Sequence, residues 1–290
     1  MTVMHPSLPA SDKRGPAPAG NMATGTLKLI ALLFMFIDHT GKVFFNNCGE
    51  MRILGRIAFP IYIWCMIVGF YRTRSVPKYI FRVLQVGIVS QPLYYLALDR
   101  QLSIRVLLQN AFAPLSAGFS PAALWDVFYT IMLKKPNIFL SLALGLVALW
   151  GIRERKWLSQ IWAPALAICL ATILHADYGW KGIMLFILLY TVQDSRPAIA
   201  AVMAAFCLFW GANYSVTTSL FGVRLSLDKL PDFLSEPLKA VMRLETYAVF
   251  ATPFMIASFR RDIRLPKWLS YSLYPAHLAV MILMKLFLPA

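Results

Sequence analysis

Long apolar runs recur along this chain, and short basic loops separate them. A helix needs about 20 apolar residues to cross the hydrocarbon core of a bilayer. Lipid offers no partner to a backbone N–H or C=O, so only helices and closed barrels can span it. Barrel strands alternate polar and apolar residues. Runs such as 53–71 and 79–98 are apolar without that alternation. The expected fold is therefore all-α: a polytopic transmembrane helical bundle of about nine spans. They are read at 27–45, 53–71, 79–98, 136–150, 158–174, 180–192, 197–212, 238–258 and 268–288. The fourth and sixth are short, as tilted or incomplete spans would be. Composition agrees, with 59% hydrophobic and only 14% charged residues, where soluble domains carry roughly 25% charged residues.

The net charge of +15 does not imply nucleic acid, because the basic residues form no continuous soluble face. They cluster at Lys13/Arg14, Arg72/Arg74/Lys78/Arg82, Arg153/Arg155/Lys156, Arg196 and Arg260/Arg261/Arg264/Lys267. Nine spans with a cytosolic N-terminus put all of these inside, as the positive-inside rule requires, and leave the C-terminus outside. Anionic membrane lipid or a cytosolic polyanionic ligand is a further partner for them. Residues 1–25, rich in Pro, Ala and Gly, read as a disordered cytosolic tail, with the membrane domain at 26–290. Within 99–135, Ser120 to Met132 is amphipathic. It suits a helix in the interface plane, or else a re-entrant or tenth span. Pro92, Pro164, Pro253 and Pro275 fall within spans, where kinks are expected. Cys65, Cys169 and Cys207 lie in apolar segments and Cys48 in a loop. All four are read as reduced packing residues, with no metal-type spacing.

Ionisable groups in such a sequence stand out. Asp38 and His39 fall in the outer third of span one, and Arg56 near the outer start of span two. His175, Asp177 and Lys181 sit at the outer turn between spans five and six, and Arg243 and Glu245 at the outer part of span eight. Four separate segments thus place ionisable groups at one depth, which points to a water-accessible cavity open to the outside. The alternative is that Asp38 and His39 only anchor a helix end at the interface. Asp177 and Lys181, like Arg52 and Arg56, have i,i+4 spacing and would stack on a helix. Asp38 and His39 point about 100° apart, so they need not touch, and an acid from another helix can polarise the imidazole instead. His277 is set apart, as a hydrogen-bonded core residue, with Trp268, Tyr271 and Tyr274 as interface anchors. Arg72, Arg74 and Arg82 serve either topology alone or a phosphate site, since guanidinium forks grip phosphate oxygens.

The runs LKLIALLFMFIDHTGKVFF, LGRIAFPIYIWCMIVGFYRTRS and KYIFRVLQVGIVSQP, with HADYGWKGIMLFILLY and YSLYPAHL, resemble the TraX family of conjugative pilus-maturation proteins. The resemblance runs from about Thr26 to Leu286. It implies a multi-pass bacterial inner-membrane protein associated with N-terminal acetylation of a pilin subunit. It also implies kinship with multi-span acyltransferases that carry acyl groups from cytosolic donors such as acetyl-CoA to acceptors outside. On that implication His39 is the general base, Arg56 holds the developing oxyanion, and Asp38 either orients the imidazole or binds the pilin ammonium. His175 with Asp177 is the second outer His–acid pair, and Arg72, Arg74 and Arg82 receive the phosphates of the donor. Family members whose pilin is cyclised weaken the specific reaction more than the family. A non-enzymatic membrane module that binds or hands over prepilin is the competing reading. A solute transporter is disfavoured, because no paired halves with broken helices are visible.

Overall fold

A computed structural model describes residues 15–99, 103–116, 118–212, 219–220, 223–224 and 230–287. The described chain is essentially all helical. The α-helices are α1 (Thr24–Val43), α2 (Gly49–Gly55), α3 (Ala58–Arg72), α4 (Val76–Leu98), α5 (Ile104–Ser116), α6 (Pro121–Phe128), α7 (Ile138–Arg153), α8 (Trp157–Ile173), α9 (Gly179–Thr191), α10 (Arg196–Gly211), α11 (Asp232–Val241), α12 (Thr252–Ile256) and α13 (Lys267–Phe287). A π-helical turn, Tyr129–Leu133, follows α6, and a 3-10 helix, Leu244–Ala251, precedes α12. Ser219–Leu220 pairs antiparallel with Val223–Arg224.

Two helical segments are long and apolar enough to cross a membrane: Gly49–Arg72, in which α2 runs on into α3, and Lys267–Phe287. A third results if α6 with its π-turn and α7 count as one span, but the two meet at 73°. Helices α8, α9 and α10, and the segment Leu244–Ile256, are apolar and shorter.

The core forms around α3. The apolar window of the Gly49–Arg72 segment, most of it α3, is 78% buried, against 28% for that of α13. Apolar residues encircle α3, and only a central position hides every face of such a helix. Phe59, Ile63, Trp64, Ile67 and Phe70 are buried there, with Phe186 of α9 and Trp210 of α10 packed around them. Outer helices instead expose large apolar side chains: Phe81, Ile88 and Val89 on α4, Ile161, Trp162 and Leu166 on α8, and Leu283 and Leu286 on α13. Apolar surface on this scale calls for a covering phase.

The basic segments meet at one end of the bundle. Arg72 donates to the Met22 carbonyl at 3.1 Å and Arg153 to that of Phe70 at 3.3 Å. Arg196 reaches the Ala19 carbonyl and the Ser258 hydroxyl at 2.9 and 2.7 Å. Asp262 accepts the amides of Gly25 and Thr26 at the start of α1. Residues 15–25, expected in a disordered tail, are thus ordered against the bundle. The Asn21 amide donates to the Met255 carbonyl, and Trp64 Nε1 to the Asn21 carbonyl at 2.8 Å. These contacts satisfy backbone groups that the Pro/Ala/Gly composition alone left without partners. Residues 1–14 lie outside the described residues.

Three further expectations are revised. Pro253 does not kink a helix; it sits in the first turn of α12, where its missing N–H costs nothing. Span eight is not continuous, but breaks into α11, the 3-10 helix and α12. Tyr274 is buried, with its ring packed edgewise on Phe139 and His277, and is no interface anchor. Trp268 is 72% exposed, as an anchor would be.

The bend before α7 is fixed by Gln91 of α4, buried in mid-bundle. Its Nε2 donates to the carbonyls of Ile131 and Lys135 at 3.1 and 2.9 Å, and its Oε1 accepts the Asn137 amide at 2.9 Å. Asn137 caps α7 by accepting from the Phe139 amide and donates to the Gly87 carbonyl. Gln91→Leu strands these groups, and stranded buried polar groups cost about 1–3 kcal/mol each. Thermal unfolding in detergent should register a loss of about 3 kcal/mol or more, whereas the neighbouring exposed change Val89→Leu should be nearly silent.

Candidate functional site

At the end of the bundle away from the basic segments, α1 and α2 lie back against each other. Gly41 and Gly55 permit this: a Cβ at Gly41 would strike Met51, and one at Gly55 the Asp38 side chain. Small residues at the crossing let backbones approach closely. The approach brings Arg52 and Arg56, one turn apart on the same face, onto Asp38.

Arg56 is the hub. Its Nη2 donates to Asp38 Oδ1 at 2.9 Å, its Nη1 to Glu245 Oε1 at 2.8 Å, and its Nε to the Arg52 carbonyl at 3.3 Å. Arg56 and Glu245 are buried. Arg52 Nε lies 2.9 Å from the same Asp38 oxygen, and its Nη1 donates to Asn47. One guanidinium therefore joins α1, α2 and the 3-10 helix. The break in span eight has its reason here: the 3-10 segment turns Glu245 inward to Arg56.

Beside this network His39 Nδ1 lies 3.1 Å from His277 Nε2 of α13. The rings stack, with centroids 5.3 Å apart and planes 24° apart. Both residues are buried, and the Tyr274 ring stands edgewise to His277 at 4.9 Å. Two neutral imidazoles can share one hydrogen bond only if one facing nitrogen carries the proton and the other the lone pair.

Asp38, His39, Lys42, Arg52, Arg56 and Asp177 line one small cavity of about 80 Å³, closed in by Tyr94, Tyr178 and Tyr274. Tyr178 is held there by its stack on Phe59, with centroids 3.5 Å apart and planes 4° apart. A second cavity of about 40 Å³ shares Ile138 and Tyr274 with the first and is lined by Lys28, Ser270 and Tyr271. Tyr271 in turn accepts from Arg82 Nε at 3.3 Å. Among the described residues no three His, Cys, Asp or Glu side chains gather as metal ligands would.

Asp38, His39, Arg56 and Asp177 are thus brought together. His175 is not: it is exposed in a left-handed turn (φ 48°) after α8, and it is absent from the cavity wall. Asp177 lies in the turn ahead of α9, so it does not share a helix face with Lys181. The Lys181 ammonium sits 5.8 Å from the rings of Trp180 and Phe209. Arg243, near Glu245 in sequence, points elsewhere and donates to the Ala212 carbonyl at the end of α10. The partner of His39 is a second imidazole and not an acid; the acid beside it is taken by Arg56 and Arg52. Glu245 is expected at the depth of the cavity but without a role there, while His277, Lys42, Tyr94 and Tyr178 are not expected at the site. The signal for Glu245 was an acid in an apolar run, and for His277 its place in the YPAHL motif. Arg72 and Arg74 are exposed at the other end of α3, about 21 Å away by helical rise, and Arg82 is exposed in the second turn of α4.

The fold and site define a multi-helix protein, apolar on its flanks, that holds a buried polar centre near one end. The chain belongs to the TraX family, whose pattern, described as TraX protein, matches residues 23–285. It is similar to the probable fimbrial assembly protein FimC, serogroup H1, of Dichelobacter nodosus, with 24% identity over 275 residues, covering 90% of this chain and 95% of that protein. No solved structure matches it.

Breaking a buried ion pair costs about 3–5 kcal/mol, because the remaining charge is left without a partner. Arg56→Gln orphans Glu245 and leaves Asp38 with Arg52 alone, and it should lower the detergent-solubilised melting temperature more than Glu245→Gln, after which Arg56 keeps Asp38. Equal losses in the two variants would show that Arg56 does not carry the network.

Proposed function

We propose that this protein is an integral inner-membrane acyltransferase that moves an acyl group, acetyl in the family's pattern, from coenzyme A to an amine outside the cytoplasmic face, the pilin N-terminus being the acceptor. The observation that carries the reading is the buried His39–His277 contact at 3.1 Å beside a polar cavity. It lies at the opposite end of the bundle from the exposed Arg72, Arg74 and Arg82. In this reading nine membrane crossings put the basic end in the cytosol and the cavity outside.

The chemistry follows from the tautomers. With His39 Nδ1 donating to His277 Nε2, the Nε2 of His39 keeps its lone pair. The acceptor amine attacks the thioester carbonyl, the C–N bond forms, and His39 Nε2 takes the amine proton. As it does so, the Nδ1 proton can pass to His277, which spreads the positive charge over two rings. The C–S bond then breaks and the thiolate leaves, with its negative charge offset by a proton from the dyad. His277 is here the positioning residue that fixes the tautomer. Arg56 is held by two carboxylates, so its part is to fix Asp38 and α2, and any stabilisation of the oxyanion comes from its residual field. For the donor, exposed guanidinium forks suit phosphates. The small cavity below Tyr274, reached past Arg82 and Tyr271, supports a route for the thioester arm.

One observation favours the second reading, a non-enzymatic assembly module: Asp38, Arg56 and Glu245 satisfy one another, as a purely structural network would. The D. nodosus relative is named for fimbrial assembly, which fits either reading.

His39→Gln keeps size and some hydrogen bonding but cannot take the proton, and loss of a general base removes roughly 10²–10⁴ of rate. His277→Gln leaves His39 its base and should cost less, with a shifted pH profile. Mass spectrometry of the pilin N-terminus from cells carrying each variant reads the outcome. Full modification with a well-expressed His39→Gln protein refutes the assignment. For the donor, Arg72→Lys, Arg74→Lys and Arg82→Lys together should weaken coenzyme A binding, because charge remains but the fork is lost. Unchanged binding in calorimetry would reduce that cluster to a topology signal.

A further inference from the structure

We propose that the wide cavity beside the His39 site binds an acidic peptide segment of the acceptor through Lys42, Lys134 and Lys135. The proposal deepens the reading above, and it rests on the acceptor being a protein. The cavity encloses about 610 Å³, and Lys42, Tyr94 and Leu98 line both it and the smaller one. The two cavities adjoin at these residues, which makes the wider one the antechamber of this proposal. The far wall carries Lys134 and Lys135, with Asn110 and Thr130 beside them.

The position of the two lysines is set by the fold, since the Lys135 carbonyl accepts from buried Gln91 at 2.9 Å. The three ammonium groups make no ion pair among the described residues. Asp99 is the one acid among the described wall residues, and its carbonyl accepts from Lys285 at 2.7 Å. A concave wall with three lysines and one carboxylate carries an excess of positive charge and concentrates ligands of the other sign. A bare N-terminal ammonium would be repelled by this antechamber. Nor does the inner cavity attract it strongly, because Asp38 already faces Arg52 and Arg56, and Asp177 has Lys42 beside it. An amine reaches His39 more readily when carboxylates flank it in the same segment and meet the three lysines. Asn110 and Thr130 add side chains able to hydrogen-bond a peptide backbone.

The test uses full-length protein in neutral detergent without donor. The probes are a C-terminally labelled hexapeptide containing three glutamates and its glutamine counterpart, measured by fluorescence anisotropy. The acidic peptide should bind about tenfold tighter at low salt, and the advantage should shrink as ionic strength rises. Lys134→Gln with Lys135→Gln, both at exposed positions, should remove most of the preference. Lys134→Glu with Lys135→Glu should turn it toward a lysine peptide. Equal affinity of the wild-type protein for the two peptides overturns the proposal without any variant. So does a preference that survives both double substitutions, and so does displacement of the peptide by phosphatidylglycerol in mixed micelles, which would make the cavity a lipid-headgroup site. No acyl transfer is read, so the two ideas fail separately. A chain that prefers acidic peptides and transfers nothing keeps this inference and loses the enzyme.

Discussion

The Arg56 guanidinium, gripped between Asp38 and Glu245, is the contact on which the outer half of the bundle depends. Three chain segments converge on it, one of them 189 residues away, and each has a local feature that serves the contact. Gly55 removes a Cβ so that α2 can reach Asp38. Thr246, next to Glu245, hydrogen-bonds the Ala240 carbonyl and so helps hold the turn into the 3-10 helix. Arg52 adds a second positive charge at Asp38. A buried ion pair is weak evidence for stability, since desolvation offsets much of the attraction. It is stronger evidence for uniqueness: misregistered packing of α2 on α1 would leave charges unpaired in an apolar bundle.

Charge is divided between the two ends of the bundle in different forms. At one end, arginines tie loops and helix ends to backbone carbonyls: Arg72, Arg153 and Arg196 each find one. At the other end, arginines face carboxylates. The first arrangement satisfies the guanidinium N–H groups with backbone oxygens, while the second sets charge against charge and creates a local polar interior. A bilayer would read the first as orientation. The second pairs charges beside a small cavity, so the carboxylates and guanidinium groups there are held in place.

Much of the fold was legible because hydrophobic length is a strong signal. Helices α3, α4 and α13 fall within a few residues of the runs at 53–71, 79–98 and 268–288. Helix α2 was folded into a loop and the start of a span, because seven residues containing Glu50 and Arg52 carry too little apolar sequence to be seen. The break at Glu245 was invisible for a different reason: its cause is a partner 189 residues away. The same logic governs the site. Asp38, His39 and Arg56 could be picked out because ionisable groups in apolar runs are costly wherever they point. Their pairing could not be read, because it depends on helix rotation. An arginine fork competes for a nearby carboxylate better than an imidazole does. The acid expected to orient His39 therefore went to Arg56, and the imidazole took the other buried imidazole.

That exchange of partners bears on which residues can report chemistry. Substitutions at Asp38, Arg56 or Glu245 disturb charge pairing and helix packing together, so lost activity there has two explanations. The His39–His277 contact is different. It can be made by two neutral rings, and α1 and α13 are also held together by the Lys28–Ser270 bond at 3.0 Å and the Thr40–Met281 contact. Removing one imidazole therefore subtracts a proton site while leaving the ion-pair network and most of the packing intact. If the polar centre is catalytic, the dyad is where function can be separated from folding. If it is only structural, the dyad is where the bundle should tolerate change best.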